Sequence, residues 1–183
     1  MDLNNILGVL AAGSTANQIG KQFNIESNKV SSVITSALPT LIGAMQKNAA
    51  TESGASSLAK ALGDHSANTS FNLGKMDLTD GSKILSHILG NNTNSVIAAL
   101  AKKTGTNNNQ VSSILAAIAP TLLGLLGKNQ KTSNTSVSGL GGMLGAILGG
   151  GGSSNSGMGS LLGAALADKD GDGKPDILGG LFK

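Results

Sequence analysis

Apolar residues recur every three or four positions through most of residues 3–129, the period of helices that bury one face. Leu3, Ile6, Leu7 and Leu10 predict a first helix behind an Asp2 cap. Thr15-Ala16-Asn17-Gln18 has capping-box spacing and predicts a second helix carrying Ile19 and Phe23. The third pattern is the strongest: Val30, Val33, Ile34, Ala37, Leu38, Leu41 and Met45 keep the period past Pro39. A proline there removes a backbone donor and predicts a bend.

The pattern then repeats at a constant offset, the one that carries Val30 onto Val111. Val30-Ser31-Ser32-Val33-Ile34 matches Val111-Ser112-Ser113-Ile114-Leu115, and Pro39-Thr40-Leu41-Ile42-Gly43 matches Pro120-Thr121-Leu122-Leu123-Gly124. Lys47-Asn48 matches Lys128-Asn129, Ile19 matches Leu100 and Leu3 matches Ile84. A duplicated three-helix unit follows, folded around a pseudo-twofold. Each copy is too small and too apolar to stand alone. The fold class is all-α and multihelical, with two bent, buried central helices ringed by shorter ones. Between the copies, a short helix over 55–62 and a polar loop over 64–79 are expected, with Asp80 capping the helix of Ile84, Leu85, Ile88 and Leu89.

After Lys131 no charged residue occurs until Asp168. Two short apolar segments, 139–149 and 157–167, flank a flexible linker at 149–156. Gly141, Gly145 and Gly149 stand at four-residue spacing and would bare one helix face. That face suits self-association, membrane insertion or docking on the helical body, against the alternative of a loose tail. The first segment is too short to span a bilayer. The expected division is a helical domain, 1–129, and a glycine-rich tail, 130–183.

Composition narrows the chemistry. The 183 residues include 27 Gly, three Phe and no Tyr, Trp or Cys. The core must come from aliphatic residues packed around small ones, and thiolate chemistry and disulfides are excluded. The net charge is +3 and every basic residue is Lys. Scattered lysines without aromatics to stack on bases argue against nucleic-acid binding. The N-terminus shows no Sec-type signal, and no apolar run is long enough to span a membrane without interruption.

One stretch has a specific chemical reading. Asp168, Asp170, Asp172 and Asp176 surround Gly173 at positions 1, 3, 5, 9 and 6 of an EF-hand-like loop, and the Lys174 carbonyl falls at position 7. The expected ligand is Ca²⁺. Gly179 replaces the bidentate Glu of position 12 and Pro175 removes a donor, so the site is weak, solitary and structural. The alternative is a solvated turn whose carboxylates cap a final helix over 177–182. A weak Ca²⁺ site suits the cell exterior, whereas the lack of an export signal puts the chain in the cytoplasm by default; the compartment stays open. His65 is expected in a polar loop and His87 on the less apolar side of its helix, neither in a catalytic setting. No GxSxG motif, phosphate loop or further carboxylate pair is present, so no catalytic residue is assigned.

The stretches Asp80-Gly81-Ser82-Lys83-Ile84-Leu85-Ser86-His87-Ile88-Leu89-Gly90, Thr104-Gly105, Ala119-Pro120-Thr121-Leu122-Leu123-Gly124 and the acidic loop with Ile177-Leu178 resemble the YidB-like family of bacterial proteins. The resemblance implies an all-α fold with buried central helices and no established activity. Members often carry an acidic residue where Ile177 stands, so this loop is one ligand poorer. The expected function is a non-enzymatic binding or scaffolding module with a Ca²⁺-stabilised C-terminus, self-associating through its tail. The alternative is a membrane-active or surface-associated protein using residues 139–167.

Overall fold

The structure, a computed structural model, describes residues 2–149. They form eight α-helices and no strand. These are α1 (Leu3–Leu10), α2 (Gly13–Phe23), α3 (Ser27–Asn48), α4 (Glu52–His65), α5 (Leu78–Leu89), α6 (Thr93–Thr104), α7 (Asn108–Thr132) and α8 (Leu140–Leu148).

Asp2 caps α1 as expected, accepting from the Asn5 amide at 2.9 Å. Two other expected caps are corrected. The helix of Ile84 and Leu85 is capped by Asp77, whose carboxylate accepts from the Thr79 and Asp80 amides; Asp80 lies in the first turn, where a negative charge also meets the helix dipole favourably. Thr15 caps nothing: α2 already starts at Gly13, and the Thr15 hydroxyl is buried and donates to the Val9 carbonyl of α1. Its hydroxyl ties two helices together rather than starting one.

The inter-copy region holds more helix than its polarity suggests. α4 begins behind a Thr51 cap and runs through His65, so His65 ends a helix and does not sit in a loop. Ala55, Leu58 and Leu62 form its buried stripe.

The two proline-bearing helices both run unbroken through their prolines. They are not equivalent. α7 is buried over nearly its whole circumference, from Ile114 to Ala119 and from Thr121 to Gly127. α3 buries one face, Val30 through Met45, and leaves Ser32, Thr35, Pro39 and Thr40 exposed. The expectation of two central helices is therefore corrected to one. By length and apolarity α7 could cross a membrane, contrary to the sequence expectation, but 78% of its most apolar window is buried inside the body. Its apolar circumference belongs to the core of this fold.

Contacts between helices are reciprocal. α2 packs on α3 and α6 on α7; α1 and α2 also reach α7, while α5 and α6 also reach α3. The remaining helices cross over: α4 leans on α7, and α8 leans on α3. α8 thus packs on the helical body through Leu140, Leu144 and Ile147, all buried.

Close approach depends on three glycines. A Cβ at Gly81 would collide with the Ala116 carbonyl of α7, one at Gly127 with the Leu62 carbonyl of α4, and one at Gly124 with the Asn68 carbonyl. At these crossings backbone meets backbone, and only hydrogen fits.

Candidate ligand-binding cleft

α4 and α5 both rest on α7 and leave a cleft between them of about 420 Å³. Its floor is apolar: Leu58 from α4, Ile84 and Ile88 from α5, and Leu123 from α7. These residues belong to the buried stripes of their helices, so the floor is an edge of the core. The rim is ionisable. Lys60 and Asp64 stand one turn apart on α4; Lys83 and His87 stand one turn apart on α5.

Lys60 and Asp64 pair with each other at 2.7 Å. The Lys60 hydrogen bond, and then its charge, hold the Asp64 carboxyl below the usual carboxylate range. Both side chains are well exposed, so the pair is a weak one. No side chain hydrogen-bonds the Lys83 ammonium or the His87 ring among the described residues. The rim therefore presents two uncommitted cationic or donor groups over an apolar floor.

His87 is a shared wall. Beyond it a second groove, of about 590 Å³, lies between the end of α3 and the end of α5 and is lined by Lys47, Asn48 and Asn92 among others. Asn48 fixes this corner: its amide donates to the His87 and Ile88 carbonyls at 3.3 and 3.0 Å. These carbonyls end α5 and have no partner within the helix. One side chain of α3 thereby holds the helix that presents Lys83 and His87.

His65 plays a different part. Its ring is mostly buried, contacts Asp80 at 3.7 Å and meets the Asn68 amide at 3.3 Å. This clasp joins the end of α4 to the first turn of α5. It holds the far end of the two helices that flank the cleft, and among the described residues no hydroxyl nucleophile is bonded to the ring.

The residues expected to bind metal, Asp168, Asp170, Asp172, Lys174 and Asp176, lie outside the described residues, as do the segment 157–167 and the final helix over 177–182. Among the described residues no three His, Asp or Glu side chains converge as a metal site would need. The cleft itself leaves no mark in the sequence. Lys83 and His87 at i and i+4 read as an ordinary polar face, and their partners Lys60 and Asp64 belong to a different helix, separated from them by the polar stretch that follows His65. Only the packing of α4 and α5 on a common helix brings the four together.

No curated protein and no solved structure matches the chain. A family profile does match, over residues 6–130, which include the cleft and all but the last two residues of the central helix. The chain belongs to that family, described as bacterial protein of unknown function (DUF937).

Proposed function

We propose that this protein is a non-enzymatic binding module whose recognition site is the α4–α5 cleft. The observation that carries this reading is the cleft's construction: a concave apolar floor of about 420 Å³ with a few convergent polar groups at its rim. Such a site falls in the size range of small-ligand pockets, roughly 300–1,000 Å³. Fluorine-detected NMR screening of small apolar and amphiphilic fragments against the full chain tests it. Hits should be displaced by Ala61→Trp, which fills the cleft from the more exposed face of α4. Hits that survive this change would place recognition elsewhere.

We infer that the helical body arose by gene duplication, with a repeat of four helices rather than three. Support comes from the constant offset between the copies, carried into geometry. Asn24 and Gly105 are equivalent positions; both end their helices in the left-handed region, at φ 53° and 64°. The amides that follow, Ile25 and Thr106, bond the equivalent carbonyls of Gly20 and Ala101. α3 and α7 start at equivalent positions, and the crossing of α4 on α7 mirrors that of α8 on α3.

The loop Asp168–Asp176 is proposed to bind one structural Ca²⁺ through carboxylates at the spacing such loops use. Calorimetric titration of the wild type and of an Asp170→Ala/Asp172→Ala variant tests this; identical flat traces would end the claim. Self-association through α8 is proposed on the open space beside Gly141, with Gly145 and Gly149 turned to neighbours in the same chain. Concentration-dependent light scattering, repeated on Gly141→Leu, tests it. The membrane alternative loses ground because Leu140, Leu144 and Ile147 of residues 139–167 are buried against α3.

A further inference from the structure

The internal repeat separates what the cleft needs for folding from what it does not. Carried onto the other copy by the same offset, the floor positions Ile84, Ile88 and Leu123 become Leu3, Leu7 and Ile42. All six are aliphatic and belong to, or pack against, the one core. The rim positions behave otherwise. Lys83 becomes Asp2, His87 becomes the fully buried Ile6, Lys60 becomes Gly141 and Asp64 becomes Gly145. Three of the four floor positions stay aliphatic in the other copy, Leu58 alone falling on Gly139, and the basic rim occurs in one half only, with Asp2 the single ionisable counterpart. Lys83 and His87 are both exposed, so the packing of α5 on α7 does not depend on their polar ends.

From this asymmetry we propose that the α4–α5 cleft binds an amphiphilic carboxylate: an unbranched aliphatic acid whose chain lies on Leu58, Ile84, Ile88 and Leu123, and whose carboxylate meets Lys83 and His87. The inference rests on reading the cleft as a binding site, and it adds the ligand class. The charge balance of the rim selects the sign. Lys60 and Asp64 neutralise each other at 2.7 Å, and among the described residues the Lys83 ammonium and the His87 ring N–H have no acceptor. An ammonium and a ring N–H are donors to a carboxylate, and a charge-assisted bond is stronger than a neutral one. A cationic amphiphile would meet Lys83 as a like charge. A purely apolar ligand would cover the floor but leave the two donors unused.

The chain length follows from the floor. Ile84 and Ile88 are one helical turn apart, about 5–6 Å, and Leu58 and Leu123, almost wholly buried, close the bottom of the cleft beneath them. A medium chain fits this apolar length; acetate would touch the rim alone. Among the described residues Lys60 is the other cation at the rim, and it already has a carboxylate partner in Asp64.

The test uses the full 183-residue chain and amide-detected NMR titration with sodium octanoate, 1-octanol and octylammonium, each below its micellar concentration. Octanoate should shift amides of residues 57–64 and 81–88 and bind at least about fivefold more tightly than octanol, the ratio expected of one partly exposed ionic contact. Octylammonium should be the weakest. A Lys83→Gln/His87→Gln variant should bind octanoate no more tightly than it binds octanol, with a thermal unfolding curve that overlays the wild type's to show that the variant folds. Equal affinity for octanoate and octanol in the wild type, or an unchanged octanoate affinity in the variant, would overturn the carboxylate assignment and leave an apolar cleft standing. Failure of every probe to shift the α4 and α5 amides would overturn both.

Discussion

The crossing of α4 on α7 and the crossing of α8 on α3 solve one packing problem in opposite ways. In the first, the small residue is on the long helix: Gly127 lets the Leu62 carbonyl of α4 come close. At the equivalent position of α3 stands Gln46, far larger, and here the short helix carries the glycine. A Cβ at Gly145 of α8 would lie 2.9 Å from the Gln46 amide nitrogen. The space at a helix crossing can be made by either partner. In the sequence Gly145 belongs to a ladder suited to self-association. In the structure it faces Gln46 of the same chain.

The two crossings differ in what the glycine meets, and that sets the largest expected effect. At Gly127 the obstacle is backbone, which cannot turn away. Gly127→Val should cost about 3 kcal/mol or more, beyond the usual 1–3 kcal/mol of overpacking, because α4 must lift off. Urea denaturation would read this directly. A cost below about 1 kcal/mol would mean that α4 has no fixed seat on α7. At Gly145 the obstacle is the end of a flexible side chain. Gly145→Ala should be within about 1 kcal/mol of neutral, since Ala regains helix propensity of the same size. If it destabilises as strongly as the Gly127 change, the contrast between the crossings is wrong.

The second pair of changes addresses the two long helices. Thr35 and Ala116 are equivalent by the repeat, yet Thr35 is exposed and Ala116 is 2% exposed beside Gly81. Ala116→Thr should cost about 1–3 kcal/mol, since it adds volume and a hydroxyl to a filled contact. Thr35→Ala should fall within about 0.5 kcal/mol of neutral. Thermal unfolding of both variants decides whether one helix or two occupies the centre.

A smaller effect is expected where α3 holds α5. Asn48→Ala removes both bonds to the last carbonyls of α5 and should cost about 1 kcal/mol. The amides of Ile88 and Leu89 should exchange faster in hydrogen-exchange measurements. No change at those amides would mean that water replaces Asn48 at no cost.

The smallest effect concerns the rim. The Asp64 carboxyl titrates below the usual range because Lys60 bonds it and adds positive charge. A depressed folded value contributes stability above the unfolded pKa, and that contribution is lost as pH falls through the folded one. Asp64 is well exposed, so the shift serves as a marker of the pair rather than as a source of stability. Lys60→Met should move the Asp64 carboxyl titration upward by carbon-detected NMR, and an unmoved midpoint would show that the ion pair does not form in solution.

Much of the body is legible in the chain because its signals are local. The spacing of Val30 to Met45 and of Val111 to Leu125 announces helices, since one face of each must be apolar and the period of that face is set by backbone geometry. The repeat that pairs Val30 with Val111 needs no structure to be seen. What misleads are signals with more than one physical use. A threonine with capping-box spacing at Thr15 bonds an earlier helix instead. Asp80 looks like the cap because it is acidic and precedes the apolar run, but Asp77 holds the geometry. The polar stretch 52–65 reads weakly because only Ala55, Leu58 and Leu62 of α4 are buried. The candidate site is illegible for another reason: a cleft exists between elements, and no periodicity within either element records it.

The sequence by itself determined that this protein is all-helical and that its core is aliphatic, because these depend on backbone period and side-chain volume counted along the chain. Only the tertiary structure decided which proline helix is central, which glycines are contacts, and that Lys60, Asp64, Lys83 and His87 share a rim. Those facts depend on which surfaces meet, and two helices of similar pattern can bury different fractions of themselves according to what the rest of the chain lays over them.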